Sequence, residues 1–285
     1  MPSTEERPLL RFATYMVPSH PVELFETIMI YLAEELKLET TLQYESRNSG
    51  PLPEFKCPFE RDLIDIAFLT PYEYLKMLDS KNAFAELLPV AAVYKHHKNT
   101  TGSAEYYSDV IVHSDTKKHV NELIDLRGCQ WAYNNENSLS GCIVVLKTLQ
   151  DLGEGSQFFG NTLKSGSHLA CIQMVQQKQA EAAAVDANVL AYNQMKLPDY
   201  GKDISVLTSL GPFPPYPIVI NKKVPATLKT GIIDALMRAT KTRMWGMRLA
   251  KFGIVGFQEN HSDRYYSIRE TLDDVKNKRF NNTYY

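Results

Sequence analysis

Short apolar runs of strand type alternate with helix-periodic segments along most of this chain, which restricts it to α/β architectures with strands linked through helices. Leu10–Met16 reads as a first strand. Pro21 opens a helix to Glu35 with Leu24, Ile28, Tyr31 and Leu32 on one face, and Glu39–Tyr44 is a second strand. Leu63–Leu69 is a buried third strand ended by Thr70-Pro71, where Pro71 starts a helix carrying Tyr72 to Leu78; Leu87–Tyr94 is another strand. Beyond the polar loop Lys95–Ser103, Tyr107–His113 is extended, Val120–Leu126 is helical, and Ala180–Val185 is a strand ending at Asp186 before a helix from Ala187 to Gln194. Strands Ile204–Leu207 and Ile218–Ile220 flank the loop Gly211–Pro217, and helices follow over Ala226–Thr240, Arg243–Phe252 and Arg264–Lys278. The sheets are expected to be largely parallel.

A chain of 285 residues has room for two domains. The middle block reads as an α/β unit inserted into another, giving a discontinuous first lobe of residues 1–100 and 205–285 and an inserted lobe of 101–204. A cleft between two such lobes is a common place for a small-molecule site.

Two turns carry the chemistry. After the apolar strand around Cys129–Tyr133 comes a polar loop, then Ser138-Leu139-Ser140-Gly141 opening an apolar helix; downstream, Ser165-Gly166-Ser167-His168 opens another. Helix starts present unpaired N–H groups and the positive end of the macrodipole, so they attract anions. Hydroxyls add donors, Gly141 lets the backbone approach a ligand, and His168 adds a tunable charge that the dipole at a helix start disfavours. Ser138 and Ser140 also suit plain helix caps, as does Asp186 where a strand meets a helix.

Other functions find little support. The net charge of −2, from 31 basic and 33 acidic residues, gives no overall basic field to draw the chain to nucleic acid or membrane, and no apolar run reaches the length of a membrane span. Lys95-His96-His97-Lys98 reads as a solvated surface turn. The four cysteines lack metal or redox spacing and read as small core hydrophobes, and the histidines show no metal-ligand pattern. No nucleotide fingerprint, Walker loop or nucleophile elbow is present, so neither cofactor nor metal is expected. The N-terminus, acidic where a secretory signal is basic, gives a cytoplasmic expectation.

Five segments occur in order: Asp65-Ile-Ala-Phe-Leu-Thr-Pro-Tyr-Glu-Tyr74, Asp125-Leu-Arg-Gly128, Ser138-Leu-Ser-Gly141, Ser165-Gly-Ser-His168 and Ala182-Ala-Ala-Val-Asp186. Together they resemble the phosphate/phosphonate-binding proteins of ABC importers, within the type II periplasmic-binding-protein superfamily. The resemblance covers about residues 10–270. It implies two α/β lobes joined by two crossover segments, with a ligand cleft between them that closes by a hinge motion. It also implies that Ser138, Ser140 and Gly141 hold phosphonate oxygens, with His168, Tyr106, Asp186 and Thr70 beside them. Tyr15, Tyr72 and Tyr216 are further aromatic candidates. Asp186-Ala-Asn188 and Pro214-Pro-Tyr216-Pro offer one acid in place of the carboxylates that pair an aminophosphonate's ammonium, so such a ligand is disfavoured.

The resulting expectation is a non-enzymatic binder of a small phosphorus oxyanion: phosphonate, phosphate or a related ester. No particular protein partner is indicated. The alternative is a cytosolic enzyme on the same scaffold acting on a small anionic metabolite, since the superfamily also hosts enzymes of thiamine and menaquinone synthesis. That reading needs His168 and Asp186 to act as an acid–base pair.

Overall fold

The structure is a computed structural model describing residues 7–14, 20–44, 57–81, 83–155, 157–196, 199 and 201–280. Tyr15 and Met16 fall outside the described residues. The chain divides into two units. The first takes the chain up to Tyr94, Gly102–Ala104 and Pro215–Asp263; the second takes Lys95–Thr101, Glu105–Pro214 and the chain from Arg264 onward. The segment after Asp263, grouped with the first lobe in the sequence expectation, thus clusters with the second unit.

In chain order the first unit holds β1 (Leu9–Thr14), α1 (Val22–Leu36), β2 (Glu39–Tyr44), β3 (Ile66–Phe68), α2 (Pro71–Asp79), β4 (Ala85–Leu87) and β5 (Val90–Tyr94). The second holds β6 (Tyr106–His113), β7 (Gln130–Tyr133), a π-turn (Leu139–Ile143) running into α3 (Val144–Asp151), β8 (Asn161–Lys164), α4 (His168–Gln176), β9 (Ala182–Asp186), α5 (Ala187–Lys196) and β10 (Ile204–Phe213). The chain returns to the first unit for β11 (Ile218–Asn221), α6 (Ala226–Arg238), α7 (Arg243–Ala250) and β12 (Ile254–Glu259), and ends its described part in the second with α8 (Tyr266–Val275).

The first unit has a sheet ordered β2-β1-β3-β11-β4, with β1 parallel to β2 and β3, and β11 antiparallel to β3 and β4. Arg11 fixes the neighbours of β1, because its backbone N–H (2.8 Å) and Nε (2.9 Å) both donate to Asp65 Oδ2. Helix α1 buries Leu24, Phe25, Ile28, Tyr31 and Leu32, a stripe of helical period, and ends where Lys37 adopts a left-handed backbone. Its Tyr31 hydroxyl donates to the Ala235 carbonyl of α6 at 2.6 Å.

The expected strand Leu87–Tyr94 is two strands. Pro89 has no N–H to continue a ladder, and the halves part: β4 joins β11, whereas β5 pairs with β12. The helix expected over Val120–Leu126 is reduced to short 3₁₀ turns at Thr116–Lys118 and Leu123–Leu126, the second closed by Asp125 accepting the Glu122 N–H at 3.0 Å. Strand β10 runs six residues beyond the expected Leu207, into the segment read as loop, because β6 offers it a long antiparallel partner.

The second sheet is ordered β10-β6-β9-β7-β8. Strands β7, β8 and β9 are parallel, whereas β6 runs antiparallel to β9 and β10, so both sheets are mixed and not largely parallel. Behind β9 lies an apolar layer of Ile111, Ala132, Cys171, Ile172, Val175, Ala183 and Val185. The basic tetrapeptide is not a plain solvated turn. His96 stacks on Tyr107 with centroids 4.3 Å apart and sets Nε2 3.3 Å from Asp109 Oδ1, while Lys98 Nζ donates to the Ser209 carbonyl at 2.6 Å.

Candidate functional site

Because β7, β8 and β9 are parallel, their C-terminal ends lie along one edge of the second sheet. From each end the chain turns into a helix: β7 into the π-turn and α3, β8 into α4, and β9 into α5. Three helix starts therefore open at the same edge, the place where open α/β sheets receive ligands.

At the first start, Ser138 is a buried N-cap whose Oγ accepts the Gly141 N–H at 3.1 Å. Its carbonyl accepts from both Cys142 (3.1 Å) and Ile143 (3.0 Å), so this turn is wider than an α-turn. Ser140 is buried, and its carbonyl receives the Ser108 hydroxyl at 2.5 Å. Gly141 is required by a close approach: a Cβ there would stand 2.0 Å from the Asn134 side-chain amide.

At the second start, Ser167 caps α4 by accepting the Ala170 N–H at 3.0 Å, and His168 follows as the first helical residue, wholly buried. Its Nδ1 accepts the backbone N–H of Asp186 at 3.3 Å, which leaves the hydrogen of the neutral ring on Nε2. Nε2 lies 3.4 Å from Ser140 Oγ and 3.3 Å from the Asn134 amide nitrogen. Exchanging the two terminal atoms of that amide gives Nε2–H an oxygen acceptor and relieves the buried Asn134 Oδ1, which otherwise has no partner among the described residues.

At the third start, Asp186 is buried and its Oδ1 accepts from the N–H groups of Asn188 (2.9 Å) and Val189 (3.4 Å), the geometry of an N-cap. His168 thus meets Asp186 through backbone, while the carboxylate holds the start of α5. Tyr106 opens β6, buried against Phe213 at 5.4 Å. Burial holds its hydroxyl in the protonated, donating form, and the charges of Asp186 and Tyr265 act the same way.

The structure therefore gathers Ser138, Ser140, Gly141, His168 and Asp186 at one sheet edge, with Tyr106 within electrostatic reach of Asp186. Thr70 belongs to the first unit, where its Oγ1 caps α2 by accepting the Glu73 N–H at 3.1 Å. Tyr72 is half-buried on α2, and Tyr216 is buried among rings with His20 and Tyr94. Tyr15 lies outside the described residues. Asn134 and Ser108 were missed in the sequence reading. Asn134 had a signal, an amide directly after an apolar strand; Ser108 had none, since only the β6–β9 register sets it opposite Asp186.

The first unit carries a separate groove of about 650 Å³ lined by Leu9, Arg11, Leu36, Asp62, Asp65 and Lys223. Asp62 and Asp65 already hold the Arg11 guanidinium there. Among the described residues no group of three or more His, Cys, Asp or Glu is placed to hold a metal ion, and no described helix is long and apolar enough to cross a membrane.

Residues 12–266 match the family described as ABC transporter, phosphonate, periplasmic substrate-binding protein. The chain belongs to this phosphonate-binding family. Its fold is that of the two-lobed type II periplasmic binding proteins. The binding-protein component of an ABC phosphonate transporter from Pseudomonas aeruginosa is similar with a TM-score of 0.74 and 17% identity, over 95% of this chain and 89% of that one. PhnD1 of Prochlorococcus marinus, in complex with methylphosphonate, is similar at 0.71 and 15% identity, over 94% and 98%. A Xanthomonas citri protein bound to ATP is similar at 0.65 and 15%, over 95% and 98%. A search of curated proteins gave no match. Phosphonate-binding proteins of this family capture small solutes for ABC transporters, and this chain is a solute-binding protein of that type.

Proposed function

We propose that the three helix starts at the edge of the second sheet bind one small phosphorus oxyanion (phosphonate, phosphate or a related ester) without chemical turnover. The observation that carries this reading is the convergence of Ser138, Ser140, Gly141, His168 and Asp186 on that edge, with neutral donors and helix N-termini supplying recognition. The methylphosphonate complex of the Prochlorococcus relative supports the ligand class. Truncating a desolvated donor costs about 1–3 kcal/mol. The Ser138→Ala/His168→Ala double variant should therefore bind methylphosphonate at least roughly tenfold more weakly by isothermal titration calorimetry. An unchanged dissociation constant would remove these residues from the site.

Asp186 sets the ligand's preferred protonation state. A buried carboxylate beside an anion repels a bare dianion and favours one that keeps a proton to donate. Methylphosphonate should then bind more weakly as pH rises through its second ionisation, and sulfate, which has no proton to offer, should bind poorly. Asp186→Asn should flatten that pH profile and raise sulfate affinity relative to methylphosphonate. A profile and selectivity identical to those of the parent protein would place the carboxylate outside the ligand's reach, as a helix cap only.

A further inference from the structure

We propose that the exposed face of α7 docks on the anionic surface of a phospholipid bilayer. Helix α7 buries Trp245 and Leu249, with Trp245 packed edge-on against Tyr31 of α1 at 5.2 Å. At about 100° per residue, the opposite side places Arg243, Met247, Lys251, Met244 and Arg248 within an arc of about 140°. All five are exposed, Met244 at 50% and Met247 at 61%, and Lys251 continues the helical backbone as the C-cap. Two long apolar side chains thus stand between three cations on one convex ridge.

The stretch of chain that carries the ridge has charges of a single sign. From Ala235 to Gln258 the chain has Arg238, Lys241, Arg243, Arg248 and Lys251 and no Asp or Glu, within a protein whose net charge is −2. Arg248 lies over the Trp245 ring at 4.5 Å, which holds its guanidinium on the helix surface. The neighbouring α1 carries Glu34 and Glu35, yet among the described residues no ion pair joins a carboxylate to Arg243, Arg248 or Lys251.

A layer of mobile anionic headgroups fits this surface without matched carboxylates at fixed positions. The cations sit at headgroup depth on their aliphatic stems, and the unbranched methionines enter the apolar boundary between them. A protein partner would instead need a complementary concave, acidic face for a convex ridge.

The test is co-sedimentation of the full chain with phosphatidylcholine vesicles, with and without phosphatidylglycerol. Binding is expected only with the anionic lipid, and it should weaken as salt rises. The Arg243→Gln/Arg248→Gln/Lys251→Gln variant should bind those vesicles at least roughly tenfold more weakly. Met244→Ser/Met247→Ser should also weaken binding, with methylphosphonate affinity unchanged in both variants. Should loss of Arg248 from Trp245 upset folding, Arg243→Gln/Lys251→Gln carries the same test. Failure of the parent protein to sediment with anionic vesicles, or undiminished sedimentation of the charge variants, overturns the proposal. Binding to soluble polyglutamate as tight as to vesicles also overturns it, in favour of an acidic protein partner.

Discussion

Gly141→Ala is expected to cut methylphosphonate affinity at least roughly a hundredfold. The added carbon would lie 2.0 Å from the Asn134 side-chain amide and 3.1 Å from Ser138 Oγ. Asn134 cannot swing aside cheaply, since it is buried and its amide is engaged with His168 Nε2. The turn must shift instead, and that shift moves Ser138 off the Gly141 N–H, Ser140 off the His168 ring, or both. Overpacking of this kind also costs about 1–3 kcal/mol of stability. Calorimetric titration at a temperature well below unfolding separates the two effects. Near-parental affinity in a folded Gly141→Ala protein would show that the ligand does not use this turn.

A second large effect concerns His20 and is read as stability against pH. The ring is buried between Tyr94 (5.9 Å) and Tyr216 (5.1 Å), its Nε2 has no hydrogen-bond partner among the described residues, and burial drives its pKa down from 6.5 to about 3. In the folded chain it therefore stays neutral, while in the unfolded chain it takes a proton below about pH 6.5. Above that pH the group adds no pH dependence. As pH falls from 6.5 towards 3 it removes up to about 1.4 kcal/mol of stability per pH unit, or about 2–3 kcal/mol by pH 4.5. His20→Phe keeps a ring among the tyrosines and cannot be protonated. Urea unfolding at pH 7 and pH 4.5 should show a distinctly smaller loss in the variant, together with a gain at pH 7 from removing an unsatisfied buried nitrogen. Equal losses in the two proteins would mean that His20 reaches solvent on folding.

Elements whose signals are local were legible in the sequence. The starts of α2, of the π-turn that leads into α3, and of α4 could be placed because Thr70-Pro71, Ser138 and the Ser165–His168 turn do at short range what helix starts require, and the structure gives Thr70, Ser138 and Ser167 a backbone N–H each to accept. What depends on partners distant in sequence was not legible. Nothing near Pro89 says that the residues on either side join different sheets, and nothing near Leu207 says that β6 will extend β10 to Phe213. The candidate site divides in the same way. Ser138, Gly141, His168 and Asp186 announce themselves as helix-start residues, whereas Ser108 and Asn134 matter only once β6, β7 and β9 are in register. The tautomer of His168 belongs to this second class too, since a backbone N–H eighteen positions away sets it.

The return of the chain to the second unit after Asp263 gives synthesis an order of events. Helix α8 packs on α3, Lys147 Nζ pairs with Asp274 Oδ2 at 3.2 Å, and Phe280 lies beside the rings of Tyr133 (5.1 Å) and Phe159 (5.8 Å). A ribosome that has made everything up to Pro214 has produced all five strands of the second unit's sheet but not Phe280, the ring beside Tyr133, the residue immediately before the candidate site. Domains generally fold as units during synthesis. Helix α8 and Phe280 emerge only after nearly the whole first unit, so they can join α3 and the ring of Tyr133 no earlier than that.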